Sequence, residues 1–233
     1  MHNILICDDD RDIVSALEIY LKSEGYQTFA AYNGTEALDI VEREDIHLAL
    51  MDVMMPGMDG LRATAKLREG HNLPIILLTA KSEDTDKVLG LNIGADDYVT
   101  KPFNPVEVMA RVRSQLRRYT ALGGRTQTEM QSEGVLVNGG ITLDDRAKLV
   151  TVDGEERGLT PLEYSILKLL MGHPGQVFST GQIYERVWND PSYGSENTVA
   201  VHIRHLREKI EIDPGNPRYI KVVWGLGYKM ERM

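Results

Sequence analysis

Five polar residues, at the C-terminal ends of four apolar segments, are the part of this chain best suited to chemistry. Asp8 and Asp9 follow Ile4-Leu5-Ile6-Cys7, Asp52 closes Leu48-Ala49-Leu50-Met51, Thr79 follows Ile75-Ile76-Leu77-Leu78, and Lys101 follows Tyr98-Val99-Thr100. If these segments are parallel strands, all five residues meet at one sheet edge, where open α/β folds bind ligands at the point of strand-order reversal. Carboxylates gathered there repel one another and raise each other's pKa unless a cation neutralises them. Magnesium suits such a site, because it accepts a few carboxylates and keeps several waters. A lysine beside it invites a phosphoryl group. The competing account of Asp8-Asp9-Asp10-Arg11-Asp12 is a helix start whose acids complement the helix dipole. It explains Asp10 and Asp12 but gives Asp52 and Lys101 no reason to lie nearby.

The elements that must position these residues are legible in the alternation of apolar runs and amphipathic stretches over residues 3–119. That alternation predicts βαβ units around a parallel sheet. Strands are expected near 3–7, 26–30, 48–52, 74–79 and 96–100, and helices near 11–24, 34–44, 60–69, 84–93 and 105–118. Residues 121–134 are polar, carry glycine and have no period, which reads as a flexible linker. Beyond them the grammar changes. Asn138-Gly139-Gly140 and Asp153-Gly154 are hairpin signals between short β-branched runs. Thr160-Pro161-Leu162-Glu163 and Ser179-Thr180-Gly181-Gln182 are helix starts of the capping-box type, for helices through Leu170 and Trp188. A third helix, capped by Ser195, is expected to run to about Ile212, before two strand-like pieces around Gly225.

Composition bounds the function. Net charge is -9; residues 1–120 hold 13 of the 26 Lys and Arg but 20 of the 35 Asp and Glu, leaving 13 and 15 for the rest. The second half is therefore close to neutral, and a nucleic-acid role there must rest on local geometry. Cys7 is the only cysteine, which excludes an intrachain disulfide framework and fits a reducing compartment. No apolar run reaches the length of a membrane span or a signal peptide, so a cytoplasmic protein is expected.

Residues 1–119 resemble a response-regulator receiver domain, of flavodoxin-like, doubly wound architecture. The markers are Asp8-Asp9, Met51-Asp52 with Pro56-Gly57, Thr79-Ala80, Gly94-Ala95-Asp96-Asp97-Tyr98 and Lys101-Pro102-Phe103. The resemblance implies that Asp52 accepts a phosphoryl group from a sensor histidine kinase, and that Asp8, Asp9, Asp52 and the Met54 carbonyl hold Mg2+. It also implies that Thr79 and Lys101 contact the phosphoryl oxygens, that Tyr98 follows Thr79 as a switch, and that the Lys101-Pro102 peptide is cis. Read from its residues alone, Tyr98 is equally an aromatic at a sheet edge. Phosphoryl transfer needs charge neutralisation and positioning more than covalent help, which agrees with these residue types.

The second half resembles the winged-helix effector of the OmpR/PhoB class, an α+β domain. Its markers are Thr198-Val199, Val201-His202-Ile203-Arg204, Leu206-Arg207 and Gly225-Leu226-Gly227-Tyr228. On the third helix Val199, Ile203, Leu206 and Ile210 form the packing stripe, and Asn197, Val201, Arg204, His205 and Glu208 form the opposite face. In that class the third helix enters the major groove and the hairpin wing touches the minor groove. The resemblance implies DNA contacts from Asn197, Thr198, Val201, Arg204, His205, Arg207 and Trp224, on promoter direct repeats, with RNA polymerase as a further partner. Two departures stand out: Arg204-His205 where many members carry consecutive arginines, and Trp224 where arginine is common. Histidine cannot make arginine's two-pronged bond to guanine. Trp224 either lies on sugar or base edges or packs on its own domain. The stretch from His202 to Lys209 with Val223-Trp224-Gly225 is similar to VanR-type regulators. The class also implies a phosphorylation-dependent homodimer. Lys87 would pair with Glu107, Asp97 with Arg111 and Asp96 with Arg113 across a two-fold axis, around Val88, Leu91 and Ala110.

The organisation implied is a receiver over 1–120, a linker over 121–134 and an effector over 135–233. No turnover enzyme is expected. A haloacid-dehalogenase-like phosphohydrolase needs a second aspartate two residues after the first, and that position is Met54. A winged helix that binds RNA or protein is the other alternative. No glycine-rich loop ending in Lys and Ser or Thr is present to bind ATP.

Overall fold

The strand at the middle of the first sheet is apolar up to its last residue, Asp52, as a strand covered by helices on both faces must be. The computed structural model describes residues 2–80, 93–123, 134–188 and 196–233, and divides into two compact units, Met1–Tyr119 and Thr120–Met233. The helix expected at 84–93, the Ser195 cap and most of the 121–134 stretch lie outside the described residues.

In the first unit, strands β1 (Asn3–Cys7), β2 (Gln27–Ala31), β3 (Leu48–Asp52), β4 (Ile75–Thr79) and β5 (Asp97–Thr100) form a parallel sheet in the order β2-β1-β3-β4-β5. Helices α1 (Arg11–Ser23), α2 (Gly34–Arg43), α3 (Gly60–Gly70) and α4 (Pro105–Gly123) accompany it. Period-two alternation splits the core between two faces. Leu5, Cys7, Ala49, Met51, Ile75 and Leu77 pack with α2 and α3. Ile4, Ile6, Leu48, Leu50, Ile76, Leu78 and Val99 pack with Val14, Leu17 and Leu21 of α1 and Val108, Val112 and Leu116 of α4. The helix starts obey their caps. Asp10 accepts from the N–H groups of Asp12 (2.9 Å) and Ile13 (3.4 Å), and Asp59 accepts from that of Arg62 (2.8 Å).

In the second unit, β6 (Val135–Asn138), β7 (Ile141–Asp144), β8 (Leu149–Val152) and β9 (Glu155–Glu156) make an antiparallel platform. Helices α5 (Pro161–Met171), α6 (Thr180–Trp188) and α7 (Glu196–Ile210) follow, then the hairpin β10 (Ile220–Val223) and β11 (Gly227–Met230). Both expected capping boxes form. Thr160 Oγ1 accepts from Glu163 N while Glu163 Oε2 accepts from Thr160 N, and Ser179 and Gln182 exchange the same pair of bonds. The third helix ends at Ile210, two residues short of the expected Ile212. Glu211 turns inward there to accept backbone N–H groups of Arg218, Tyr219 and Ile220.

Candidate functional site

Strand order reverses between β1 and β3, and the acids sit on either side of that point. Asp8 and Asp9 leave the end of β1, and Asp52 ends β3. One carboxylate oxygen from each of the three lies within 4.8 Å of the others. Asp8 and Asp52 are buried, at 0% and 3% exposed, while Asp9 is open to solvent. Lys101, just beyond β5, extends its ammonium into the gap, with Nζ 2.6 Å from Asp8 Oδ2 and 2.9 Å from Asp52 Oδ1. Its own N–H donates to the Thr79 carbonyl at 2.7 Å, which ties the lysine to the end of β4, and the Lys101-Pro102 peptide is cis. Thr79 is buried, and Tyr98 is partly buried against the cluster on the α2/α3 face. The five residues picked out by their places after apolar segments therefore share one sheet edge, while Tyr98 lies two residues back along β5, opposite Leu77.

The electrostatics follow from one cation among three carboxylates. Burial pushes the Asp52 carboxyl above its usual range; Lys101 opposes the rise and Asp8 and Asp9 add to it. Burial alone would lower Lys101, but its bonds to Asp8 and Asp52 outweigh it and the ammonium is held above its ordinary pKa. Cys7, at the end of β1, is pushed up by burial and by Asp8 and Asp52; its sulfur lies 3.4 Å from the Asn33 carbonyl and 3.4 Å from Met55 Sδ. A thiol held neutral in this way is no nucleophile.

A raised carboxyl pKa means that the ionised form of Asp52 costs the folded state stability. The cost is absent below the unfolded carboxyl pKa, grows as pH rises through the folded value, and is complete above it. Asp52→Asn removes that charge. The variant is expected to melt above the wild type at pH 7, with the difference shrinking as pH is lowered into the carboxylate range. Differential scanning calorimetry across pH measures this; a variant that melts below the wild type at pH 7 would show that the Lys101 ion pair outweighs burial.

Sequence reasoning missed two groups that set this geometry. Gly60 opens α3 directly behind the acceptor: its N–H donates to the Val53 carbonyl at 3.1 Å, and a Cβ there would lie 1.9 Å from the Asp52 carbonyl oxygen. Gly34 opens α2 in the same manner against the Met58 carbonyl. A glycine at a helix start just after a key aspartate is the signal that could have found Gly60. The second group is Arg68, which donates to the carbonyls of Gly94 (2.7 Å) and Leu73 (2.7 Å) and to Asp96 (2.6 Å).

That last bond corrects the expected dimer pairs. Asp96 is 1% exposed and also accepts the Ile75 N–H at 2.8 Å, so it is fixed at the start of β4 rather than presented to a partner. Arg113 pairs instead with Glu24 at 3.0 Å. Asp97 and Arg111 do pair, at 2.9 Å, but inside one protomer, where Arg111 also takes Glu107 at 3.0 Å as its i,i+4 neighbour on α4. Glu107 and Ala110 are exposed. Lys87, Val88 and Leu91 lie outside the described residues.

The DNA face needs correction as well. Val199, Ile203, Leu206 and Ile210 are buried as expected, but so are Thr198 and Val201, because α7 packs against both α5 and α6 and a single stripe understates what it buries. His202 is buried too, its ring 5.5 Å from that of Trp188. Arg207 is turned back on the domain, donating from Nε and Nη2 to the Ile220 carbonyl at 3.1 and 2.8 Å with its guanidinium over Tyr228. Arg204 remains exposed, paired with Glu208 at 3.0 Å, and His205 is partly exposed. The side chain of Asn197 lies outside the described residues. Trp224 stands out from the hairpin tip at 89% exposed, so it does not pack on its own domain.

Comparison with known proteins agrees with this layout. Residues 4–113 match the response regulator receiver domain, and residues 154–230 match the C-terminal domain of transcriptional regulatory proteins. The chain is 44% identical to the regulatory protein VanR of Enterococcus faecium over 98% of both chains. Among solved structures, a RitR mutant aligns with a TM-score of 0.75 at 27% identity over the full length of both chains. DrrB of Thermotoga maritima, an OmpR/PhoB homolog, aligns with a TM-score of 0.51 at 32% identity over 99% of each. No helix among the described residues is long and apolar enough to cross a membrane.

Proposed function

Because the chain belongs to the OmpR/PhoB class of response regulators, we propose that Asp52 is the residue whose phosphorylation sets its affinity for DNA. It is a two-component response regulator, with a histidine kinase as partner and transcription regulation as its output. The observation that carries the assignment of Asp52 is the Lys101 ammonium held between Asp8 and Asp52, within a cluster of three carboxylates. An Asp52 oxygen forms a bond to phosphorus as the donor's P–N bond breaks. Lys101 and Thr79 then meet the new oxygens, and Tyr98 follows the threonine inward.

The donor set fits Mg2+, all hard oxygens in a partly open cluster. Asp8, Asp9, Asp52 and the Met54 carbonyl would hold it, and its charge would offset that developing on the transferred group. Asp8 is kept in place by the Asp10 N–H at 3.0 Å as well as by Lys101. Turnover is not part of this reading, since Met54 stands where a phosphohydrolase would carry its general acid.

The functional division is a receiver over 1–120, a linker over 121–134 whose first three residues continue α4 rather than starting an irregular segment, and an effector over 135–233. Phosphorylation favours a homodimer through the surface bearing Glu107, Ala110 and Arg111. Pairing Asp97 with Arg111 across the axis then requires exchange of a bond now made within the protomer. The dimer places two copies of α7 on direct-repeat half-sites in the cytoplasm, where RNA polymerase is the further partner. Arg204 and His205 are the base-facing candidates. The regulation we propose is VanR-like, given the 44% identity to VanR.

Anisotropy titrations with duplexes selected by the full chain test the coupling. Acetyl phosphate with Mg2+ should tighten binding and shift light scattering from monomer to dimer; identical isotherms before and after would contradict it. Arg204→Ala is expected to cost about 1–3 kcal/mol on the selected duplex with relaxed preference at one position per half-site. An equal loss on scrambled duplexes would make Arg204 a phosphate contact.

A further inference from the structure

The edge of the first sheet opposite the phosphoacceptor brings two imidazoles together. His2 precedes β1 and His47 precedes β3, and their rings meet edge to face with centroids 5.2 Å apart. Tyr26, ahead of β2, stands 6.4 Å from His2, and Tyr119 of α4 stands 6.1 Å from His47. The backbone holds both rings in place. Gln27 N–H donates to the His2 carbonyl at 3.0 Å, and His47 N–H donates to the Asn3 carbonyl at 2.9 Å. The Asn3 N–H goes to the His47 ring itself, donating to Nδ1 at 3.2 Å.

That last bond fixes the tautomer of His47. An N–H donates only to an unprotonated Nδ1, so the neutral ring carries its proton on Nε2, and a second proton cannot be added while the bond stands. For the same reason neither nitrogen has a lone pair to offer a metal ion. His2 is penalised in another way: its Nδ1 is buried with no hydrogen-bond partner, so a proton placed there would be an unmet buried donor. Burial, then His47, then the α-amino group lower the pKa of His2. The surroundings do not offset a positive charge on the pair. Asp45 Oδ2 is 3.8 Å from His47 Nε2, but that carboxylate is 89% exposed and screened by water. Glu24 and Arg113, which flank Tyr26, neutralise each other at 3.0 Å. Tyr26 and Tyr119 are both raised by burial, so neither phenol ionises in the histidine range.

We infer that His2 and His47 form an acid-sensitive latch at the exit of the first unit: protonation of the pair breaks the bond from Asn3 to His47, sets two cations against each other, and releases the ring contact that holds Tyr119 and the end of α4. The helix runs on past Tyr119, the last residue of the first unit, to Gly123, so its last turns are what the latch controls. The sign follows from linkage. A base whose folded pKa is lowered binds fewer protons folded than unfolded. Its contribution to stability is complete above the unfolded value and is lost as pH falls from there through the lowered folded value. Asp52 acts in the opposite sense, since its cost shrinks as pH falls, so the two groups are separable.

Amide hydrogen exchange of the untagged full chain, followed by NMR and corrected for the intrinsic pH dependence of exchange, reads the latch at the Asn3 N–H itself. Protection there is expected to fall several-fold between about pH 7.5 and about pH 5.5, the range that brackets an imidazole. In His47→Asn the side-chain oxygen can take the same N–H and does not titrate, so protection should hold. His2→Gln keeps the bond and removes the opposing charge, and should move the fall to lower pH. Calorimetry should show the first unit of the wild type melting roughly 3–6 °C lower at the acid end, the size expected for one lost backbone hydrogen bond, and His47→Asn losing markedly less. Protection at Asn3 that is indifferent to pH, or that falls equally in His47→Asn, would overturn the latch. So would a His2 ring resonance, assigned by its loss in His2→Gln, that titrates at or above about 6.5, the value of an unperturbed imidazole. Should His47→Asn fail to fold, the His2 titration of the wild type decides the matter alone.

Discussion

Gly60→Ala is expected to damage the first unit more than any other single methyl group added there. The new Cβ would sit 1.9 Å from the carbonyl oxygen of Asp52 and 3.0 Å from the Met51 side chain. Both neighbours belong to the buried central strand β3, so neither yields without shifting the acceptor itself. Overpacking against backbone costs about 1–3 kcal/mol and sometimes more, and here relief requires moving the bond between Gly60 N–H and the Val53 carbonyl. A fall in melting temperature of the first unit should accompany slower phosphoryl uptake. Wild-type stability in this variant would mean that α3 starts farther from Asp52 than the structure places it.

Glu211→Ala should have an effect of similar size on the second unit alone. The carboxylate is buried and accepts the N–H groups of Arg218 (2.6 Å), Tyr219 (2.8 Å) and Ile220 (2.8 Å). Each buried donor left without a partner costs about 1–3 kcal/mol, and bonds to a charged acceptor are the stronger kind. The expected loss is about 3–5 kcal/mol in the stability of the second unit, with weakened binding to every duplex because the hairpin is no longer fixed to α7. Phosphoryl uptake at Asp52 should be unchanged, which separates this defect from that of Gly60→Ala. Urea unfolding followed by Trp188 emission measures the first effect and intact mass the second.

What was legible in the sequence is tied to local rules. The three inner strands of the first sheet, β1, β3 and β4, were readable because each is a short apolar run ending at polar residues, and a parallel sheet buried on both faces demands that pattern. The caps at Thr160 and Ser179 were readable because they depend on residues three apart. The turn between β7 and β8 was not, for it contains no glycine. Asp144 holds it by accepting the N–H groups of Arg146 and Ala147, and Lys148 takes a φ of +55°. The buried state of Thr198 and Val201 and the inward turn of Arg207 depend on which elements surround α7, and no periodicity within the helix encodes that. The Asp96–Arg68 pair joins residues 28 apart in sequence, and only the fold brings them together.

The most direct test of the central claim is intact-mass spectrometry of the chain after incubation with acetyl phosphate, with and without Mg2+. One added phosphoryl group is expected on the wild type in the presence of the metal, little or none after chelation, and none on Asp52→Asn. Persistent labelling of Asp52→Asn, or uptake by the wild type that is indifferent to the metal, would contradict the assignment of Asp52, Asp8 and Asp9 to a metal-assisted phosphoacceptor site.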